Sequence, residues 1–203
     1  MRASRTLGVV LAIVLLHGCG IPPKPEPAIT THDFGSASPP AAACIKVPIN
    51  LQNVTAPSWL DGVAIQYRLA YADQTERRAY AHSRWAAPPA SLFMLRLREH
   101  LAAANCAGDT PPLASMFQLH IELDEFNQVF DTAKSSFVTL HAGALLTRGF
   151  GRKPIARQRF TVQRDTTTAD AAGAVAAFGA ASDDLARQIV QWLVAENRLT
   201  SAK

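Results

Sequence analysis

Phe117-Gln118-Leu119-His120-Ile121-Glu122-Leu123-Asp124 alternates apolar and polar side chains. A period of two marks a half-buried strand, so Phe117, Leu119, Ile121 and Leu123 face a core. His120, Glu122 and Asp124 face the other way, either as a solvated face or as a functional cluster. Asp131 to Lys134 reads as a turn. Val138, Leu140, Ala142, Ala144 and Leu146 repeat the alternation, and Gly149 and Gly151 mark a second turn. Ala156, Phe160 and Val162 then give a third strand against Arg157 and Arg159. Three such runs joined by turns predict an antiparallel meander.

Upstream, Ile45, Val47, Ile49 and Leu51 alternate with polar residues and Pro48, which points to an edge or bulged strand. Val63, Ile65, Tyr67 and Leu69 predict another strand, and Glu76 to Ala81 a short one. Pro88 and Pro89 suit a helix start. Leu92, Leu95, Leu97 and Leu101 supply the apolar side of that helix, to about Ala104. Downstream, Thr167-x-x-Asp170 resembles a capping box. Val175, Phe178, Leu185, Ile189, Trp192 and Leu193 then form one stripe on a long helix to about Asn197. A striped helix and a half-buried sheet each need one partner face, and each supplies the other's. The fold class is therefore α/β: a mixed, largely antiparallel sheet with two long helices packed on it.

The N-terminus is of another kind. Arg2 and Arg5 precede Leu7 to Leu16, an apolar run of ten residues. At about 1.5 Å per residue it covers half of a roughly 30 Å hydrocarbon core, so it reads as a signal-peptide h-region. Leu16-His17-Gly18-Cys19 follows and resembles a lipobox, which marks a secreted bacterial protein for acylation at its cysteine. Lipoproteins of two-membrane bacteria are usually kept at the inner membrane by Asp after that cysteine. Gly20 therefore implies the outer membrane, with the body facing the periplasm. Six prolines between Gly20 and Ala43 read as a tether. The expected organisation is a signal peptide over 1–18, lipidated Cys19 and tether over 19–43, and one domain over 44–198. Removing 1–18 lowers the formal charge from +4 to +2, too weak a balance to argue nucleic-acid binding. Cys44 and Cys106 remain. Two thiols of one domain in an oxidising compartment form a disulfide; two buried free thiols are the other reading.

Little else carries chemistry. No histidine has a second histidine or cysteine at metal-ligand spacing, so neither a metal nor a cofactor is expected. Asp33-Phe34-Gly35 spells a kinase tripeptide, but it falls in the expected tether without its companion motifs. Trp59, Trp85 and Trp192 are either core residues or ligand stackers. The loop holding Trp59 and Leu60, and the segment holding Arg84 and Trp85, are candidate interaction surfaces, because aromatics and arginine are enriched at interfaces.

The order of features resembles a family. After the lipobox and tether come Ile45-Lys46-Val47, Pro57-Ser58-Trp59-Leu60-Asp61, Ile65-Gln66-Tyr67-Arg68 and the stretch Tyr80-Ala81-His82-Ser83-Arg84-Trp85-Ala86-Ala87-Pro88. Leu123-Asp124-Glu125-Phe126 and an alanine-rich helix with Gln191-Trp192-Leu193 complete it. This is similar to the ABC-type transport auxiliary lipoprotein family, which includes paraquat-inducible protein C. The resemblance implies an anticodon-binding-domain-like α/β fold and no catalytic residues. It implies work beside an MCE (mammalian cell entry) domain protein and its ABC transporter, which move lipids between membranes. Cys19 carries over as the acylation site that binds the chain to a lipid membrane. A partner with rotational symmetry favours a homo-oligomer. A free-standing periplasmic lipid-binding carrier and an envelope-assembly lipoprotein are the competing readings.

Overall fold

The meander runs further than its alternation indicates. The structure, a computed structural model, describes residues 27–39, 43–107, 117–148 and 153–200. Cys19, the lipobox and the Gly149–Gly151 turn lie outside them. Strands β5 (Phe117–Phe130), β6 (Ser136–Arg148) and β7 (Lys153–Asp165) pair antiparallel in sequence. Ahead of them come β1 (Thr30–His32), β2 (Ile49–Thr55), β3 (Ala64–Leu69), β4 (Asp73–Trp85) and helix α1 (Pro89–Ala104); helix α2 (Ala171–Thr200) follows. The seven strands form one mixed sheet in the order β1-β4-β3-β5-β6-β7, with β2 also on β5.

β5 explains this arrangement. One edge is covered along its length by β6. The other is shared: β2 runs parallel to residues 117–122, and β3 runs parallel to residues 128–130. Asp124 is an extra residue in the ladder between Leu123 and Glu125, a bulge. The bulge shifts the alternation by one, so the core side continues as Leu123, Phe126 and Phe130 rather than with odd numbers.

Both helices lie on one side of the sheet and against each other. Leu119, Ile121, Leu140, Ala142 and Val162 meet Phe178, Leu185, Ile189 and Leu193 of α2, with Phe93 and Leu97 of α1. At the centre, Phe126 and Phe178 stack at 4.2 Å, and Trp85 meets Phe178 edge-on at 5.5 Å.

Four expectations need correction. β4 extends well beyond the short strand at 76–81. The first predicted strand begins at Ile49 rather than Ile45, which makes an isolated bridge to Asn105. Leu95 is 54 % exposed, because α1 turns Leu92, Phe93, Arg96, Leu97 and His100 inward instead. The cap of α2 is Asp170 rather than Thr167. Its carboxylate accepts the Gly173 N–H at 2.8 Å, and its carbonyl accepts the Ala174 N–H, the first helical bond.

Candidate functional site

The described part of the expected tether, residues 27–39, is a strap fixed to the domain. β1 pairs parallel with the end of β4, and Arg84 reaches the Thr31 hydroxyl at 3.3 Å. Phe34 packs edge-on against Trp85 at 5.4 Å and stacks with Phe126 at 5.7 Å, so it belongs to the central aromatic cluster. Gly35 has φ +65°, a conformation that favours glycine, and its N–H is held by the Asp33 carboxylate at 2.8 Å. The tripeptide Asp33-Phe34-Gly35 thus acts as a structural turn.

Arg96 of α1 grips this turn. Its guanidinium donates to the carbonyls of Phe34, Gly35 and Ser36 at 2.7, 2.7 and 3.0 Å. It also donates to the Asp183 carboxylate of α2 at 2.8 Å. His100 Nε2 lies 2.8 Å from the same carboxylate oxygen. Arg96 and His100 are 3 % and 0 % exposed. Burial pushes the Asp183 carboxyl up, but hydrogen bonds from His100 and Arg96 and the Arg96 charge outweigh it. The group sits below its ordinary value. Strap, α1 and α2 therefore meet at one buried, charge-assisted junction. A groove of about 750 Å³ lies between the strap and α2, along Val175, Ala176, Gly179 and Ala180.

A second cluster lies on the helix-free side of the sheet. Arg77 of β4 makes a two-bond pair with Glu125 at 3.2 and 3.0 Å, and Arg68 of β3 stands 3.6 Å from the same carboxylate. The Arg77 guanidinium lies over the Trp59 ring at 5.4 Å. Trp59 is 49 % exposed. An Arg-stacked tryptophan at the surface is the composition of an interaction hot spot.

The four candidate interaction residues therefore separate. Trp59 and Arg84 are exposed, whereas Leu60 and Trp85 are core residues, 2 % and 1 % exposed. A 3₁₀ turn over Ser58–Leu60 rotates successive side chains by a third of a turn, which sends Trp59 out and Leu60 in. At the end of β4 the period of two does the same for Arg84 and Trp85. Trp192 lies half-buried against Phe160. Cys44 and Cys106 are bridged, with Cα atoms 5.4 Å apart. Backbone bonds from Ile45 to Ala104 and from Cys106 to Ile45 flank the bridge.

Arg96, His100 and Asp183 were not marked by the sequence, and Phe34 and Glu125 stood there only within a dismissed tripeptide and a family segment, with no role of their own. A lone Arg on an apolar helix face reads as a solvated residue; only its i, i+4 spacing to His100 hints at a shared inward direction. Among the described residues, no group of three or more His, Cys, Asp or Glu is placed to hold a metal ion. Among them, no helix is long and apolar enough to cross a membrane.

Solved structures with this fold include a Xanthomonas campestris protein of the DUF330 family. It has a TM-score of 0.74 and 19 % identity, covering 86 % of this chain and 99 % of that one. A second, of an uncharacterized protein, has a TM-score of 0.60 and 12 % identity, covering 81 % and 97 %. At such identities the likeness concerns the fold. No curated protein matches the chain significantly. The model of the ABC-type transport auxiliary lipoprotein component matches residues 32–190, beginning inside the strap and ending in α2. The chain belongs to the ABC-type transport auxiliary lipoprotein family.

Proposed function

We propose that the chain is a membrane-anchored periplasmic lipoprotein, an auxiliary component of an ABC/MCE-type intermembrane lipid transport system. Family membership carries this reading, and Leu16-His17-Gly18-Cys19 ahead of the matched region supports it. Cys19 is the acyl acceptor, and acylation by two or more chains gives a stable anchor. Gly20 directs the protein to the outer membrane, with the domain on the periplasmic face.

The mechanism is confinement rather than catalysis. Eleven residues, Cys19 to Ile29, separate the acyl acceptor from β1, a span of about 40 Å at most for any conformation. A domain held that close to one membrane meets a partner in the envelope at raised effective concentration. Trp59, with Arg77 and Arg84, is the proposed partner-facing surface.

Affinity capture of the tagged full chain from solubilised membranes tests the reading. Recovery of an MCE-domain protein with its ABC transporter is expected. Trp59→Ala should lower that recovery several-fold with an unchanged melting temperature. Recovery of envelope-assembly factors alone, or of bound phospholipid without transporter subunits, would contradict it and favour the assembly or carrier reading.

A further inference from the structure

The helix-free side of the sheet holds an open concavity of about 470 Å³ across β2, β5, β6 and β7. Gly143 sits midway along β6 and lines it. Register places Glu122 of β5 opposite Gly143 on one side and Arg159 of β7 on the other. The next row on the same face is His120, Leu145 and Arg157. A Cβ on Gly143 would meet nothing within 4 Å, so crowding inside the chain does not require glycine there. A glycine inside a strand weakens it and is kept at a bulge, at a tight bend or where a ligand or another backbone comes close. The ladders on both sides of Gly143 keep register from Ala142 to Ala144, so no bulge at that residue accounts for it.

The charges around the notch are unspent. Arg157, Arg159 and Glu122 are exposed. Among the described residues, none of the three side chains has a hydrogen-bond or ion-pair partner, in contrast to Arg68, Arg77, Arg96 and Arg164. Arg157 and Arg159 are two apart on one strand, so both forks stand on one face within about 7 Å of each other. Guanidinium forks match the oxygens of a phosphate. Glu122, across the glycine, is placed for a cation.

We propose that this notch binds a zwitterionic phosphodiester, with the phosphate between Arg157 and Arg159 and an ammonium group beside Glu122. A phospholipid headgroup and a free phosphoester share this chemistry. The lipid source rests on the transport reading; the site itself does not.

Calorimetric titration of the purified full chain in detergent, with three probes, tests the site. These are inorganic phosphate, glycerophosphoethanolamine and dihexanoyl phosphatidylethanolamine. Saturable binding of glycerophosphoethanolamine is expected, weakened at least tenfold by Arg159→Gln and by Gly143→Val, which fills the notch. Glu122→Gln should weaken that probe and leave phosphate unchanged. Tighter binding of the lipid than of the glycerophosphoester supports a membrane source, and equal binding supports a free one. No saturable binding of any probe, or binding unaffected by the Arg159 and Gly143 variants, overturns the site. A native chain that captures the transporter yet binds none of the three probes would overturn the site and leave the transport reading standing.

Discussion

Arg96 has the heaviest duty of any described side chain. It holds three successive strap carbonyls and a buried carboxylate at once. Arg96→Ala leaves the Asp183 carboxylate without its guanidinium partner and frees the strap. Breaking a buried pair costs about 3–5 kcal/mol, so the urea midpoint should fall accordingly. A loss under 1 kcal/mol would show that the junction contributes little. The same junction sets the acid response. Asp183 and Asp184 lie below their ordinary values despite burial, because His100 and Arg96 bind the first and Arg164 and Arg187 bind the second. Their folded carboxylates take up protons less readily than the unfolded chain does. Their contribution is therefore complete above about pH 5 and shrinks as pH falls below about 4. Urea midpoints between pH 3 and 7 should show this decline, and Asp183→Asn should flatten it; parallel curves would contradict the assignment. None of this was legible in the sequence. Arg96 and His100 interrupt an apolar helix face, and their partners lie sixty or more residues away.

At the scale of elements, period and punctuation carried most of the reading. The meander, α1 and α2 were legible because the apolar residues of each recur at the period of a strand or a helix, even where a bulge or a buried Arg96 and His100 interrupts them. Strand pairing between distant segments was not. β2 and β3 share one edge of β5, and only the bulge at Asp124 and the length of β5 make room for both. β1 was missed because three residues carry no periodicity. Two elements can be tested directly. Replacing Cys44 and Cys106 by serine removes a bridge across 62 residues, worth about 4 kcal/mol on the chain-entropy account. Chemical denaturation with and without reductant should show that loss in the native chain only. At α2, Gly173→Ala would bring a Cβ to 2.1 Å from the Thr168 carbonyl. It should lower the melting temperature more than Asp170→Ala, which removes a cap worth about 1 kcal/mol. The reverse order would mean that the turn before α2 yields easily.

For the whole molecule, strap and domain form one unit. The strap ties residues 30–38 to both helices and to β4, so a pull from the N-terminal side meets the β1–β4 pairing first and the Arg96 junction next. The sequence assigned that stretch to the tether, since proline and small residues dominate its ends and one phenylalanine cannot announce a core position. The candidate surface was half legible: aromatic and arginine content located the right loops, but only three-dimensional register separates Trp59 from Leu60 and Arg84 from Trp85. The central claim is that this domain works from a lipid anchor at Cys19. Mass spectrometry of the mature protein from membranes tests it most directly. An N-terminal peptide that starts at Cys19 and carries a diacylglycerol on its thiol is predicted. A mature chain that starts elsewhere, or an unmodified Cys19, would contradict the account.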